Sequence, residues 1–151
     1  MKKSKKNKDL SLEIESDINL LSKLRYELFS DPVARRILDK YDLDYKILLG
    51  VPILFSDTEN SNAKTINGSI YISNDLKKYS FEVIMRYLIH ELVHVCQHIR
   101  KDELDNDKKE EYIERGDEIE AFQYQVSYDA NNSGVDEVVK YITDLLEFHD
   151  V

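Results

Sequence analysis

Several residue types that support particular folds or cellular locations are scarce in this chain of 151 residues. It has one cysteine, Cys96, and therefore cannot form an internal disulfide. It has only two prolines and four glycines, the residues that interrupt helices, so we expect long helices to dominate. The longest mainly apolar run, Ile47 to Phe55, is less than half as long as a membrane-spanning helix. We therefore expect no association with a membrane.

The N-terminal segment is basic and lacks a secretory signal. Residues 1–9 contain five lysines, and no apolar core or cleavage site follows them. We expect residues 1–9 to be a flexible tail, residues 10–151 to form a single domain, and the protein to be cytoplasmic. The formal net charge of -9 also argues against a specific nucleic-acid partner, because an acidic surface repels phosphate.

The spacing of apolar residues predicts at least five helices. Residues 10–29 carry apolar side chains three or four positions apart, which is one helical stripe. Asp31 followed by Pro32 predicts the start of a second helix. The clearest pattern covers residues 81–100, and two further helices are predicted at about 117–131 and 135–148.

A small sheet is predicted between the second helix and the helix at 81–100. The apolar run from Tyr45 to Phe55, interrupted by glycine and proline, favours a strand. Thr65 to Ser73 contains Asn67-Gly68, the pair typical of a type I′ hairpin turn. The predicted fold class is α+β: one mainly helical domain with an antiparallel sheet of about three strands packed on the helix at 81–100.

The helix at 81–100 contains the pattern His-Glu-x-x-His, from His90 through Glu91 to His94. Histidines four residues apart lie on the same face of a helix, so both imidazoles can reach one metal ion. The intervening Glu91 lies beside such an ion without binding it, where it can accept a proton from water. This pattern predicts a zinc site with Glu91 as the general base.

A catalytic zinc site usually has a third protein ligand. The candidates in this chain are Glu118, Glu120, Asp117, Glu114, His98 and His149. His98 lies about 12 Å of helical rise from His90, too far to share one ion easily, and His149 lies close to the C-terminus.

The segment that follows Gly116 favours Glu118 among these candidates. Asp117 can be an N-cap, and Glu120 completes the spacing of a capping box, which leaves Glu118 free to point elsewhere. On a helical wheel Glu118 borders the apolar stripe and Glu120 faces away from it. The choice between Glu118 and Glu120 remains open at this level.

On these residues the chain resembles the gluzincin metallopeptidases. Several families of that group have Glu-x-x-Ala at the site of the third ligand, matched here by Glu118 and Ala121. The resemblance covers about residues 51–130. The layout of a short sheet, the histidine helix and then the glutamate helix is similar to the minimal core of small bacterial and phage-encoded metallopeptidases. It implies one catalytic zinc ion bound by His90, His94 and Glu118, with Glu91 as general base and a peptide or protein as substrate.

The resemblance has further implications and also gaps. It implies that a strand at the edge of the sheet, predicted as Ile70 to Ser73, holds the substrate, and that a phage-encoded member would act in the host cytoplasm or a virion. None of Tyr87, Tyr112, Tyr124 and Tyr128 stands out as the residue that stabilises the oxyanion.

Two other functions compete with hydrolysis. A zinc-binding regulatory or interaction protein would close the fourth metal position with a side chain such as His98 or His149. An acidic inhibitor with incidental histidines would bind no metal. The segment Asp102 to Glu120 has ten acidic and three basic residues. We expect most of it to be a solvated loop, and as a hypothesis its charge attracts a divalent cation and basic substrates.

Overall fold

The computed structural model describes residues 2–104 and 115–132. The elements follow one another as α1 (Lys2–Ser30), α2 (Pro32–Lys40), the single turn α3 (Ile47–Gly50), β1 (Ile53–Ser56), β2 (Ala63–Ile66), β3 (Ser69–Ser73), α4 (Phe81–Leu104) and α5 (Arg115–Asn132), with a 3-10 turn (Asn74–Lys78) before α4. The predicted class is confirmed: this is a mainly helical α+β fold with a three-stranded sheet packed against α4. The helix predicted at 135–148 lies outside the described residues.

The sheet is mixed rather than wholly antiparallel. Its strand order is β1-β3-β2, so β3 is the central strand. The hairpin pairs β2 with β3 in the antiparallel sense, and Asn67 and Gly68 have φ angles of 51° and 81°, as a type I′ turn requires. β1 pairs with β3 in parallel, from Ile53 opposite Ile70. The prediction of an antiparallel sheet was wrong for β1, because the chain between β1 and β2 crosses to the far side of β3.

The predicted strand from Tyr45 to Phe55 is only partly correct. Residues 47–50 form the turn α3, and the strand begins at Ile53. The Arg25 guanidinium of α1 donates hydrogen bonds to the carbonyls of Leu48 and Val51, the latter at 2.9 Å. Because these bonds satisfy carbonyls at the end of α3, the apolar run supports a helical turn before the strand.

The apolar core surrounds the middle of α4. One face of α4 buries Leu88, Ile89, Leu92 and Cys96, which are at most 1% exposed, and Ile70 and Ile72 of β3 are fully buried as well. α2 closes part of this core, and Asp31 caps it as predicted by accepting hydrogen bonds from the amides of residues 33 and 34. In the part of the chain that the structure describes, no helix is sufficiently long and apolar to span a bilayer.

Candidate metal centre

α4 presents its polar residues to two neighbouring elements. His90 and His94 lie toward α5, where their rings contact side chains of that helix, and Glu91 lies toward β2. All three side chains are buried, with 6–7% of each residue exposed. The packing of α4 between the hairpin and α5 therefore removes this polar face from solvent.

The structure brings His90, His94 and Glu118 together. The Nε2 atoms of the two histidines are 3.2 Å apart. Glu118 Oε1 lies 2.6 Å from Nε2 of His90 and 3.5 Å from Nε2 of His94. Ligands held at roughly 2.0 to 2.1 Å by one tetrahedral ion lie about 3.3 Å apart. Two of the three separations match this value. The third, 2.6 Å between Glu118 and His90, is that of a hydrogen bond. The group could therefore bind a metal ion after losing the proton of that hydrogen bond.

Two glutamines orient the histidines. Nδ1 of His90 lies 2.7 Å from Oε1 of Gln125, and Nδ1 of His94 lies 2.8 Å from Oε1 of Gln97. An amide oxygen only accepts hydrogen bonds, so each histidine donates from a protonated Nδ1. A neutral imidazole with a proton on Nδ1 has its lone pair on Nε2, the atom that faces Glu118. Both histidines thus have the tautomer that suits a metal ligand.

The convergence of lone pairs and a carboxylate favours a positive charge at the centre of the group. Burial alone would raise the pKa of Glu118, but when the Nε2 atoms of His90 and His94 carry a proton, their hydrogen bonds hold that pKa well below its usual value. Burial alone would lower the pKa of His94, but its hydrogen bond to Glu118 and the charge of Glu91 raise that pKa. The donor set therefore stabilises a cation, either a proton or a metal ion.

Glu91 lies beside this group and outside the ligand set. Its Oε2 atom is 3.9 Å from Nε2 of His90. Thr65 of β2 donates a hydrogen bond to Oε1 of Glu91 at 3.0 Å. Burial raises the pKa of Glu91, and the nearby His90 and His94 oppose that rise. A buried carboxylate with a raised pKa is a suitable proton acceptor and donor.

Glu120 has a role that the sequence did not predict. It accepts hydrogen bonds from Lys40, the last residue of α2, from Tyr41, the C-cap of that helix, and, at 3.2 Å, from Gln97 of α4. The capping-box prediction was wrong, because Arg115 and Gly116 are already helical, which places Asp117 inside α5 rather than at its N-cap. Glu120 therefore anchors α5 to α2 and α4, and the group of potential ligands contains Glu118 instead.

The remaining candidates lie elsewhere or outside the described residues. His98 lines a shallow groove of about 510 Å³ beside the hairpin turn, where it lies against Gly68. Glu114 and His149 fall outside the described residues. The prediction that Ile70 to Ser73 forms an edge strand was wrong, since β3 pairs on both sides. Among the described strands, the edge strand beside Glu91 is β2.

Gln97 and Gln125 were also absent from the sequence-based site. Their spacing offered a signal: Gln97 lies one helical turn after His94, and Gln125 lies two turns after Glu118 on the same face of α5. No protein-family model, curated protein or solved structure matches the chain. The resemblance to gluzincins consequently depends on the His-Glu-x-x-His spacing and on the position of Glu118.

Proposed function

We propose that this protein is a zinc-dependent metallopeptidase that hydrolyses peptide bonds. The observation that carries this proposal is the position of Glu91, a buried carboxylate 3.9 Å from a nitrogen of His90 and outside the ligand group. A site that only binds a metal needs no such group, whereas hydrolysis needs a base next to the water that attacks. His90, His94 and Glu118 are the proposed zinc ligands.

The chemistry divides between the ion and the protein. Zinc, when bound, would polarise the scissile carbonyl and lower the pKa of water. Glu91 accepts the proton of that water and then delivers it to the leaving amine. Its raised pKa favours the first transfer, because a higher pKa makes the carboxylate a stronger base, and the hydroxyl of Thr65 keeps that carboxylate beside the ligand group.

The edge strand β2 supports a peptide or protein substrate. Among the strands of residues 2–104 and 115–132, β2 pairs only with β3 and leaves its other edge free, and its Thr65 contacts Glu91. An extended peptide that pairs with the free edge of β2 would therefore run past the proposed base. This proposal replaces the predicted substrate strand, Ile70 to Ser73, because the two edges of that strand are already occupied.

The test separates zinc binding from hydrolysis. We would measure zinc content by elemental analysis and cleavage of a mixed-sequence peptide library by mass spectrometry. Glu91→Gln should retain zinc and lose about 100- to 10,000-fold in cleavage rate, the range for general acid–base catalysis. Glu82→Gln, a change at an exposed position of the same helix, is the matched control. Cleavage by Glu91→Gln at the parent rate contradicts the mechanism, and one equivalent of zinc without any cleavage by the parent favours a zinc-binding regulatory protein.

A further inference from the structure

Gln97 joins the two helices that carry the proposed zinc ligands. It lies on α4 and is 5% exposed. Its Oε1 accepts the hydrogen bond from Nδ1 of His94 at 2.8 Å, while its Nε2 donates to the carbonyl of Asp117 at 3.0 Å and to Glu120 at 3.2 Å. One side chain therefore contacts a ligand on α4 and the first turn of α5 at the same time.

We propose that Gln97 is a positioning residue for the metal centre, which couples the orientation of His94 to the placement of Glu118. This inference rests on the proposed zinc site. The carbonyl of Asp117 belongs to the peptide bond that leads into Glu118, so a hydrogen bond to it constrains the backbone next to the ligand. If that bond is lost, the carboxylate of Glu118 is no longer held at its distance from the two histidines.

An amide is the side chain that satisfies all three partners. The Nδ1–H group of His94 needs an acceptor, and the Asp117 carbonyl and the Glu120 carboxylate both need donors. A carboxylate at position 97 would serve the histidine but would face a carbonyl oxygen and a second carboxylate. The partner Glu120 is itself held by Lys40 and Tyr41, so the contact extends from His94 to α2.

Gln125 differs from Gln97 in the way it acts on its histidine. It lies on α5 and contacts His90 of α4 directly, through a hydrogen bond of 2.7 Å. Gln97 orients a histidine of its own helix and makes separate contacts with α5. The proposal therefore distinguishes Gln97 by its bond to the backbone before Glu118 and by its pairing with Glu120.

The experiment compares four variants with the parent. Gln97→Leu removes all three hydrogen bonds, Gln97→Glu retains only the acceptor for His94, and the double variant Gln97→Glu with Glu120→Gln restores a donor at position 120. Gln123→Leu makes the same chemical change at an exposed position of α5 and is the control. Zinc affinity is measured by competition with a chromophoric chelator, and the tautomer of His94 is measured by ¹⁵N NMR of the metal-free proteins.

We expect Gln97→Leu to bind zinc about 10- to 100-fold more weakly than the parent, as losses of groups that orient metal ligands do. Gln97→Glu should also lose affinity, the double variant should recover part of that loss, and Gln123→Leu should match the parent. In the metal-free proteins, His94 should carry its proton on Nδ1 in the parent and lose this preference in Gln97→Leu.

Two results would overturn the proposal. One is an unchanged tautomer of His94 in Gln97→Leu, a measurement that needs no zinc and no substrate. The other is a Gln97→Glu variant that Glu120→Gln does not improve. A parent protein that binds no zinc would refute the proposed function, and the NMR comparison would still decide whether Gln97 orients His94.

Discussion

The contact between Gln125 and His90 provides the sharpest test of the metal centre. We consider Gln125→Leu, which replaces a residue that is 1% exposed by an apolar side chain of similar size. The change removes the acceptor 2.7 Å from Nδ1 of His90. His90 can then either leave a buried N–H group without an acceptor or move its proton to Nε2, the atom proposed to bind zinc.

Both outcomes weaken zinc binding. An unsatisfied buried polar group costs about 1–3 kcal/mol. Since each 1.4 kcal/mol corresponds to about a tenfold change in an equilibrium constant, zinc affinity should fall by roughly 5- to 150-fold. The metal-free protein should lose less stability than this, because a proton on Nε2 of His90 can be donated to Glu118, whose Oε1 lies at 2.6 Å.

The assay is a calorimetric zinc titration combined with urea unfolding of the metal-free protein. Gln125→Glu keeps an acceptor for Nδ1 of His90, so its zinc affinity should be close to that of the parent and no lower than that of Gln125→Leu. Gln123→Leu, on the exposed face of the same helix, should behave like the parent. If Gln125→Leu binds zinc with the parent's affinity, the argument that Gln125 sets the tautomer of His90 is refuted.

Two further predictions concern the hairpin turn and the buried thiol. Gly68→Ala should lower the free energy of unfolding, measured in urea, by about 1 kcal/mol, because φ at this position is 81°. The cost comes from the backbone, since the added Cβ would meet His98 at an ordinary contact distance of 3.5 Å. Asn67→Gly should lower the free energy of unfolding much less, and equal losses for the two variants would contradict this assignment of strain. Burial raises the pKa of Cys96 to about 12, from 9.0 for a free thiol. The buried thiol therefore contributes its full stability below pH 9. This contribution falls as the pH rises above 9, because only the unfolded chain then releases the proton. Urea unfolding between pH 8 and 11 should show this loss, part of which remains in Cys96→Ala because burial also raises the pKa of Tyr128; a slope unchanged by that substitution would contradict the assignment to Cys96.

Features that depend on a few neighbouring residues could be predicted from the sequence. Histidines four residues apart share a helix face whatever surrounds the helix, so the pairing of His90 with His94 follows from helical geometry. The turn at Asn67 and Gly68 follows from the low cost of positive φ at these residues, and the cap at Asp31 from a side chain that reaches amides two and three positions ahead. Each of these interactions spans a few residues, and local conformational preference is sufficient for it.

Features that depend on contacts between distant residues were decided by the tertiary structure. Helical periodicity places Glu118 and Glu120 at the start of one helix, but only the packing of α5 on α4 and α2 brings Glu118 to the histidines and Glu120 to Lys40 and Tyr41. The parallel pairing of β1 with β3 depends on the path of the connecting chain. Gln97 and Gln125 acquire their partners only when two helices meet, because a hydrogen bond requires a donor and an acceptor about 3 Å apart. The sequence by itself thus determined which helix could carry a metal site, and the tertiary structure decided which carboxylate and which amides complete its surroundings.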